Sequence, residues 1–195
     1  MRKLTITLLV LLVLAALAYS QRATIAKRVM ARGVDTIMGT DTLAELGDGL
    51  HVAICGAGGP MPDIKRSGAC VAIVAGEKIF MVDTGTNGVR NLGRMRYPVG
   101  SIAAVLLTHF HSDHIDGLGE VATLRWVSVA NTSPLPVIGP QGVKQVVAGF
   151  NNAYELDTGY RHAHHGDTVA PLSGKGMVAV EYPLPAEGEL TTVYQ

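Results

Sequence analysis

The segment Leu107-Thr108-His109-Phe110-His111-Ser112-Asp113-His114-Ile115-Asp116-Gly117 constrains this chain more than any other. It packs three histidines and a carboxylate into the six residues from His109 to His114. It emerges from Ile102–Thr108 (IAAVLLT), a nearly continuous apolar run of the kind expected of a strand buried on both faces. Neutral imidazole and carboxylate are standard zinc ligands, and clustering them lowers the entropic cost of building a site. His109 and His111 are two apart, so on an extended segment they point the same way. Asp113 and His114 fall where the chain turns into the next helix and face a different point. That geometry suits two adjacent metals, which at about 3.5–4 Å can share and activate a bridging hydroxide. A histidine-rich surface loop is the competing explanation, and it leaves the close spacing unaccounted for.

The flanking elements follow from apolar runs and turn residues. Leu50–Cys55 reads as a strand ending in the turn-forming stretch from Gly56 to Pro60. Ala69–Ala75 and Lys78–Val82 are β-rich runs separated by Gly76-Glu77, which predicts a hairpin or bend. Helices are expected over Gly88–Arg96, Ile115–Val127 and Gly142–Leu156, short strands at Leu135–Ile138 and Gly176–Tyr182, and the start of another strand at Thr191–Tyr194. Strands first, then strands alternating with helices, argue for an α/β layered domain.

The N-terminus is of another character. Arg2 and Lys3 precede Leu4–Tyr19, a 16-residue run without a charge that ends near small-x-small cleavage sites at Ala16-Leu17-Ala18 and Ala18-Tyr19-Ser20. This is the layout of a secretory signal, and the run is short for a bilayer span. We expect residues 1–20 to be a signal peptide, with an uncleaved membrane anchor as the alternative. Residues 21–46 are expected to be a locally basic linker, read as a stalk or short helix, or equally as a solvated helical face, and 47–195 the globular domain. The protein is therefore expected to be exported, either periplasmic or secreted, or held at the membrane by its N-terminus. The 195 residues carry 16 Lys+Arg and 16 Asp+Glu. Removal of the leader takes away Arg2 and Lys3 and no acid, leaving 14 basic against 16 acidic side chains and a net charge of −2. Such a chain has no general attraction to a phosphate backbone, so nucleic acid is not expected as a partner.

His109-x-His111-x-Asp113-His114 resembles the HxHxDH signature of the metallo-β-lactamase-fold hydrolases. The GAGGPMP turn at Gly56–Pro62, Val82-Asp83-Thr84-Gly85 and Pro136–Gly142 are similar to the ribonuclease Z and arylsulfatase-like branch. The resemblance implies an αββα sandwich of which this chain holds the N-terminal half only. It implies two Zn2+ per complete protein, one on His109 and His111 and the other on Asp113 and His114. Asp113 becomes the candidate catalytic proton shuttle, and Asp83 the carboxylate that holds the metal loop by hydrogen bonds. The family's remaining ligands are not matched here: after His165 there is no histidine, and the acidic residues that follow it are Asp167, Glu181, Glu187 and Glu189. The expectation is a truncated product, itself a poor catalyst.

The resemblance implies hydrolysis of an ester-like bond in a small-molecule substrate (phosphodiester, sulfate ester or lactone) by a metal-activated hydroxide. A non-catalytic truncated domain, or one completed by a partner, is the alternative. His162, His164 and His165 form a second cluster, read either as a solvated loop or as substrate-pocket residues, His164 and His165 foremost. Cys55 and Cys70 lie near facing ends of neighbouring strands; a disulfide is possible outside the cytosol, but bridges between adjacent strands are often strained, and two separate buried thiols are the expectation.

Overall fold

The computed structural model describes residues 6, 7, 11, 15–38, 42–61 and 63–194. Most of the apolar leader lies outside the described residues. Among those described, no helix is long and apolar enough to cross a membrane. The chain divides into two compact units, residues 1–40 and 41–195. In the first, residues 15–20 are helical and α1 spans Arg22–Met38.

The second unit is built on one six-stranded sheet. Its elements are α2 (Thr42–Glu45), β1 (Leu50–Gly56), β2 (Cys70–Ala75), β3 (Lys78–Val82), α3 (Gly88–Arg94), β4 (Ile102–Leu106), α4 (Ser112–Ile115), α5 (Leu118–Ser128), β5 (Leu135–Gly139), α6 (Val143–His165) and β6 (Met177–Glu181). The strands lie in sequence order, β1 to β6. β1–β2 and β2–β3 are antiparallel, while β3–β4, β4–β5 and β5–β6 are parallel. The two kinds of pairing follow from the connections. The tight turn at Gly76 (φ 59°) joins an antiparallel hairpin, whereas helical crossovers return the chain in the same direction. The parallel half therefore brings the C-terminal ends of β3, β4 and β5 to one rim of the sheet, where open α/β sheets bind ligands.

The core is aliphatic. Ala53, Cys55, Ala72, Val74, Ile79, Met81, Ile102, Val105 and Val137 are buried with Val89 and Leu92 of α3, Leu118 and Val121 of α5, and Val143 and Val147 of α6. The alternate residues of β1, Leu50, Val52 and Ile54, are exposed, as is Val178 of β6. Two buried polar side chains of α5 tie the layers together. Trp126 Nε1 donates to Pro171 O at 2.8 Å, and the Arg125 guanidinium donates to Ile102 O at 2.7 Å and Ser133 O at 2.8 Å. Burial pushes the Arg125 pKa down from its ordinary value.

Several expectations need correction. The compact unit begins at Asp41, so Thr42–Leu46, assigned by composition to the stalk, belong to the domain; Leu43 and Leu46 pack on its core. Over Arg22–Met38 the segment is the helix α1, in line with the helical reading of it. α6 does not stop at Leu156 but runs to His165, ending at Gly166 (φ 66°), so the second histidine cluster is helical. Thr191–Tyr194 forms no strand; Tyr194 instead packs edge-on against Phe80, ring centroids 4.7 Å apart. Cys55 and Cys70 are not separate thiols but a disulfide. The register of β1–β2 slips between Ile54 and Gly56, which puts one extra residue opposite Cys70. This bulge frees the pair from strict cross-strand geometry and sets the Cα atoms 5.1 Å apart, within the ordinary range for a bridge.

Candidate metal centre

The metal loop leaves β4 at the sheet rim. Its first residues are anchored to the strands on both sides: Leu107 N–H donates to Ile138 O at 2.8 Å, and Asp83 N–H to Leu106 O at 2.9 Å. His109 and His111 follow in extended backbone, and His111 (φ −63°, ψ 148°) immediately precedes α4. The three imidazoles come together. The His109 ring centroid is 4.6 Å from that of His111 and 4.1 Å from that of His114. His109 Nε2 and His111 Nδ1 are 3.0 Å apart. Asp113, buried in the first turn of α4, brings Oδ2 to 3.6 Å from His114 Nε2.

Asp83 lies beneath this group. It is buried and holds a left-handed backbone (φ 58°), which is uncommon for a residue other than glycine and points to a constraint imposed by its surroundings. Its carboxylate accepts the Thr108 N–H at 2.9 Å, the Thr108 hydroxyl at 2.8 Å and the His114 Nδ1–H at 2.8 Å. Donating Nδ1–H to a carboxylate fixes the tautomer of His114 and leaves the lone pair on Nε2, 3.6 Å from Asp113 Oδ2. Thr108 has one hydroxyl hydrogen, which goes to Asp83, so it accepts from His109 Nδ1 at 3.0 Å and leaves the His109 lone pair on Nε2, 3.0 Å from His111 Nδ1. Thr108 was not singled out in the sequence. The signal for it was a hydroxyl residue at the junction between an apolar strand and the first histidine.

The loop is also held by its backbone. Thr84 N–H donates to His114 O and Gly117 N–H to Thr84 O, both at 2.7 Å. Gly68, Gly85 and the Asp113 carbonyl are stacked so closely that a Cβ on Gly68 would come within 2.9 Å of Asp113 O, and one on Gly85 closer still. No other residue type fits there.

The donor chemistry fits zinc. Two ring nitrogens at 3.0 Å stand a few tenths inside the separation of about 3.3 Å that two nitrogens on one tetrahedral zinc require. The number of donors is the shortfall. Among the described residues, no group of three or more His, Cys, Asp or Glu closes around a single ion. On such an ion the residues present would supply only part of a ligand shell.

The second cluster does not join them. α6 begins beside the metal loop, where Gly142 sits against the Phe110 ring, and runs 23 residues, about 34 Å, to His164 and His165 at its far end. There the two rings stack edge to face, and His162 Nδ1 bonds to Ala170 O at 2.9 Å. The expectation that His164 and His165 line a pocket at the metals assumed a loop. A helix of this length carries them away.

Comparison with known proteins adds an independent line. The model of the metallo-β-lactamase superfamily matches residues 64–187. A ribonuclease Z of Mycolicibacterium gilvum (strain PYR-GCK) is 41% identical over 124 residues, 63% of this chain and 43% of that protein. A ribonuclease Z of Mycobacterium avium (strain 104) is 40% identical over 124 residues, 63% of this chain and 44% of that protein. The chain thus spans less than half the length of these relatives. Among solved structures, human tRNase Z, short form, aligns with TM-score 0.52 at 21% identity, covering 70% of this chain and 47% of that one. The metallo-β-lactamase fold protein YhfI of Bacillus subtilis aligns with TM-score 0.52 at 19% identity, covering 74% and 50%. At such identities the structures speak for the fold alone. The ribonuclease relatives overturn the expectation against a nucleic-acid partner. That expectation rested on net charge, which is an average over the chain and does not describe the surface around one loop.

Proposed function

The chain belongs to the metallo-β-lactamase superfamily, and from that premise we propose that it carries the metal loop of a zinc-dependent phosphodiesterase acting on RNA. The observation that carries the proposal is the convergence of His109, His111 and His114 above a buried Asp83 that fixes the His114 tautomer at 2.8 Å. The ribonuclease Z relatives support a phosphodiester over the sulfate ester or lactone that the motif alone leaves open. His109 and His111 would hold one zinc, and Asp113 and His114 the second. When bound, zinc supplies Lewis acidity toward the phosphoryl oxygens and lowers the pKa of water. Thr108 and Asp83 orient the imidazoles. Asp113, buried beside His114 and lining a cleft, would accept a proton from the attacking water and return it to the leaving oxygen. The leader and the Cys55–Cys70 disulfide support an exported enzyme, because disulfides persist outside the cytosol. Export is checked by fractionating expressing cells, and recovery from the cytosol with an intact N-terminus would refute it.

With two protein donors per zinc, turnover is expected to be slow, so the decisive comparison is internal. End-labelled RNA is incubated with the zinc-supplemented chain, with His109→Ala and with His114→Ala. Zinc-dependent cleavage that falls on the order of a hundredfold in both variants supports the proposal. Cleavage equal in all three, or none above background, overturns it.

A further inference from the structure

The chain between β1 and β2 crosses the sheet rim beside the metal loop. Gly59, Met61, Asp63, Arg66, Ser112 and Asp113 are among the residues lining a cleft of about 240 Å³ that the two segments share. The crossing has few fastenings of its own. Gly58 N–H donates to Ser67 O at 2.6 Å, and Asp63 caps the backbone N–H groups of Lys65 at 2.7 Å and Arg66 at 3.2 Å. Lys65 and Arg66 are exposed. At its base, however, everything converges. The disulfide joins the end of β1, at Cys55, to the first residue of β2, Cys70. Asn91 of α3 donates to Cys55 O and to Ser67 Oγ, both at 2.8 Å. Gly68 N–H donates to Thr86 O at 3.1 Å and Gly85 N–H to Ala69 O at 2.8 Å. Gly68 and Gly85 are the two residues stacked on the Asp113 carbonyl. Both cysteines are buried, at 2% and 1% exposure, so the bond is part of the core at the base of the crossing.

We infer that Cys55 and Cys70 are a positioning pair for the metal loop: their bond clamps the base of the β1–β2 crossing so that Gly68 and Gly85 hold the Asp113 turn in place. The inference rests on the metal reading of that turn. Neither cysteine touches a donor atom. The effect passes through the glycine backbone, where no side chain cushions a displacement.

A dithiol opens the clamp. One thiolate attacks one cysteine sulfur, the S–S bond breaks, and the second thiol resolves the mixed disulfide. Two electrons and two protons pass to Cys55 and Cys70, and the reductant leaves as a cyclic disulfide. Two preparations test the inference, Cys55→Ser/Cys70→Ser and the unaltered chain kept in excess dithiol; the second serves if the variant fails to fold. The first readout is trypsin cleavage after Lys65 and Arg66, with cleavage after Lys175 as the internal control. Releasing a loop closed over 15 residues should raise opening of the crossing on the order of a hundredfold, and cleavage with it, while cleavage at Lys175 stays unchanged. The second readout is the dissociation constant for Zn2+ alone, by competition with a chromophoric chelator, which should weaken about tenfold. Unchanged cleavage at Lys65 and Arg66 overturns the inference. So does an equal rise at Lys175, which would make the bond a global staple, and so does faster cleavage with unchanged zinc affinity. If neither form binds zinc, the metal reading fails, and with it the positioning role, whereas the cleavage arm still reports whether the bond fastens the crossing.

Discussion

Replacing Asp83 by Asn changes one oxygen for an NH2 and almost no volume, so its effect isolates the hydrogen-bond pattern. The native carboxylate is an acceptor only. It takes the Thr108 N–H at 2.9 Å and hydroxyl at 2.8 Å, and the His114 Nδ1–H at 2.8 Å. The amide keeps one acceptor oxygen. If that oxygen serves Thr108, the NH2 faces His114 Nδ1–H, donor against donor. The imidazole must then move its proton to Nε2, which removes the lone pair available there to a metal. Hydrogen bonds to a charged group contribute about 1.5–3 kcal/mol each, so losing one charge-assisted bond and weakening the others should cost roughly 2–3 kcal/mol. For a domain of this size that is a fall in Tm of about 5–10 °C. Removing the carboxylate behind a metal-ligating histidine weakens metal binding about 10–100-fold. The assays are thermal unfolding by circular dichroism, zinc competition, and nitrogen chemical shifts of the His114 ring. A variant with native zinc affinity and an unmoved Nδ1 proton would refute the assignment of Asp83 as the holder of His114.

Gly85→Ala places a methyl against the Asp113 carbonyl and the Gly68 backbone, neither of which can swing aside. Destabilisation at the upper end of about 1–3 kcal/mol is expected in urea titration, with weakened zinc binding; a wild-type midpoint would disprove the close stacking. Arg125→Met removes the donors to Ile102 O and Ser133 O and leaves the buried Ile102 carbonyl without its side-chain partner, for a loss of about 1–3 kcal/mol by the same titration. A double change of His164 and His165 to Ala should leave zinc affinity within error of wild type, because the length of α6 separates them from the metal loop. A tenfold loss would place the far end of that helix at the site after all.

The strands and the metal loop were legible because each depends on local pattern. Ile102–Thr108 is apolar throughout and ends on a polar cluster, and no long-range information is needed to see a buried strand feeding a site. What was illegible depended on register or on partners. The disulfide turned on a single-residue slip in β1–β2, whose only trace is Gly56 after Cys55. α6 outran its apolar periodicity: past Leu156 the helix is carried by residues such as Ala163, with Arg161 paired to Asp157 Oδ2 at 2.6 Å, and Gly166 stops it. Thr191–Tyr194 has strand-like composition and no strand to pair with, so its aromatic residue found Phe80 instead. Asp83 was legible as a holder of the loop, but not the positive φ that aims it.

That positive φ ties the architecture to the chemistry. A left-handed backbone at a non-glycine residue costs on the order of 1 kcal/mol or more and persists only where its surroundings over-determine it. At Asp83 the surroundings come from four places. β4 accepts its N–H, Thr108 and His114 bind its carboxylate, and the next residue, Thr84, is fixed to His114 O and Gly117 N–H. One residue further, Gly85 is pinned by Ala69, at the foot of the disulfide-clamped crossing. The sharp turn after β3 is therefore what carries Asp83 under the imidazoles while delivering Gly85 to the Asp113 carbonyl. A relaxed, extended Asp83 would continue along β3 and could do neither. The strain is local, the parallel strands hold both of its ends, and its product is a set of ring nitrogens oriented before any metal arrives.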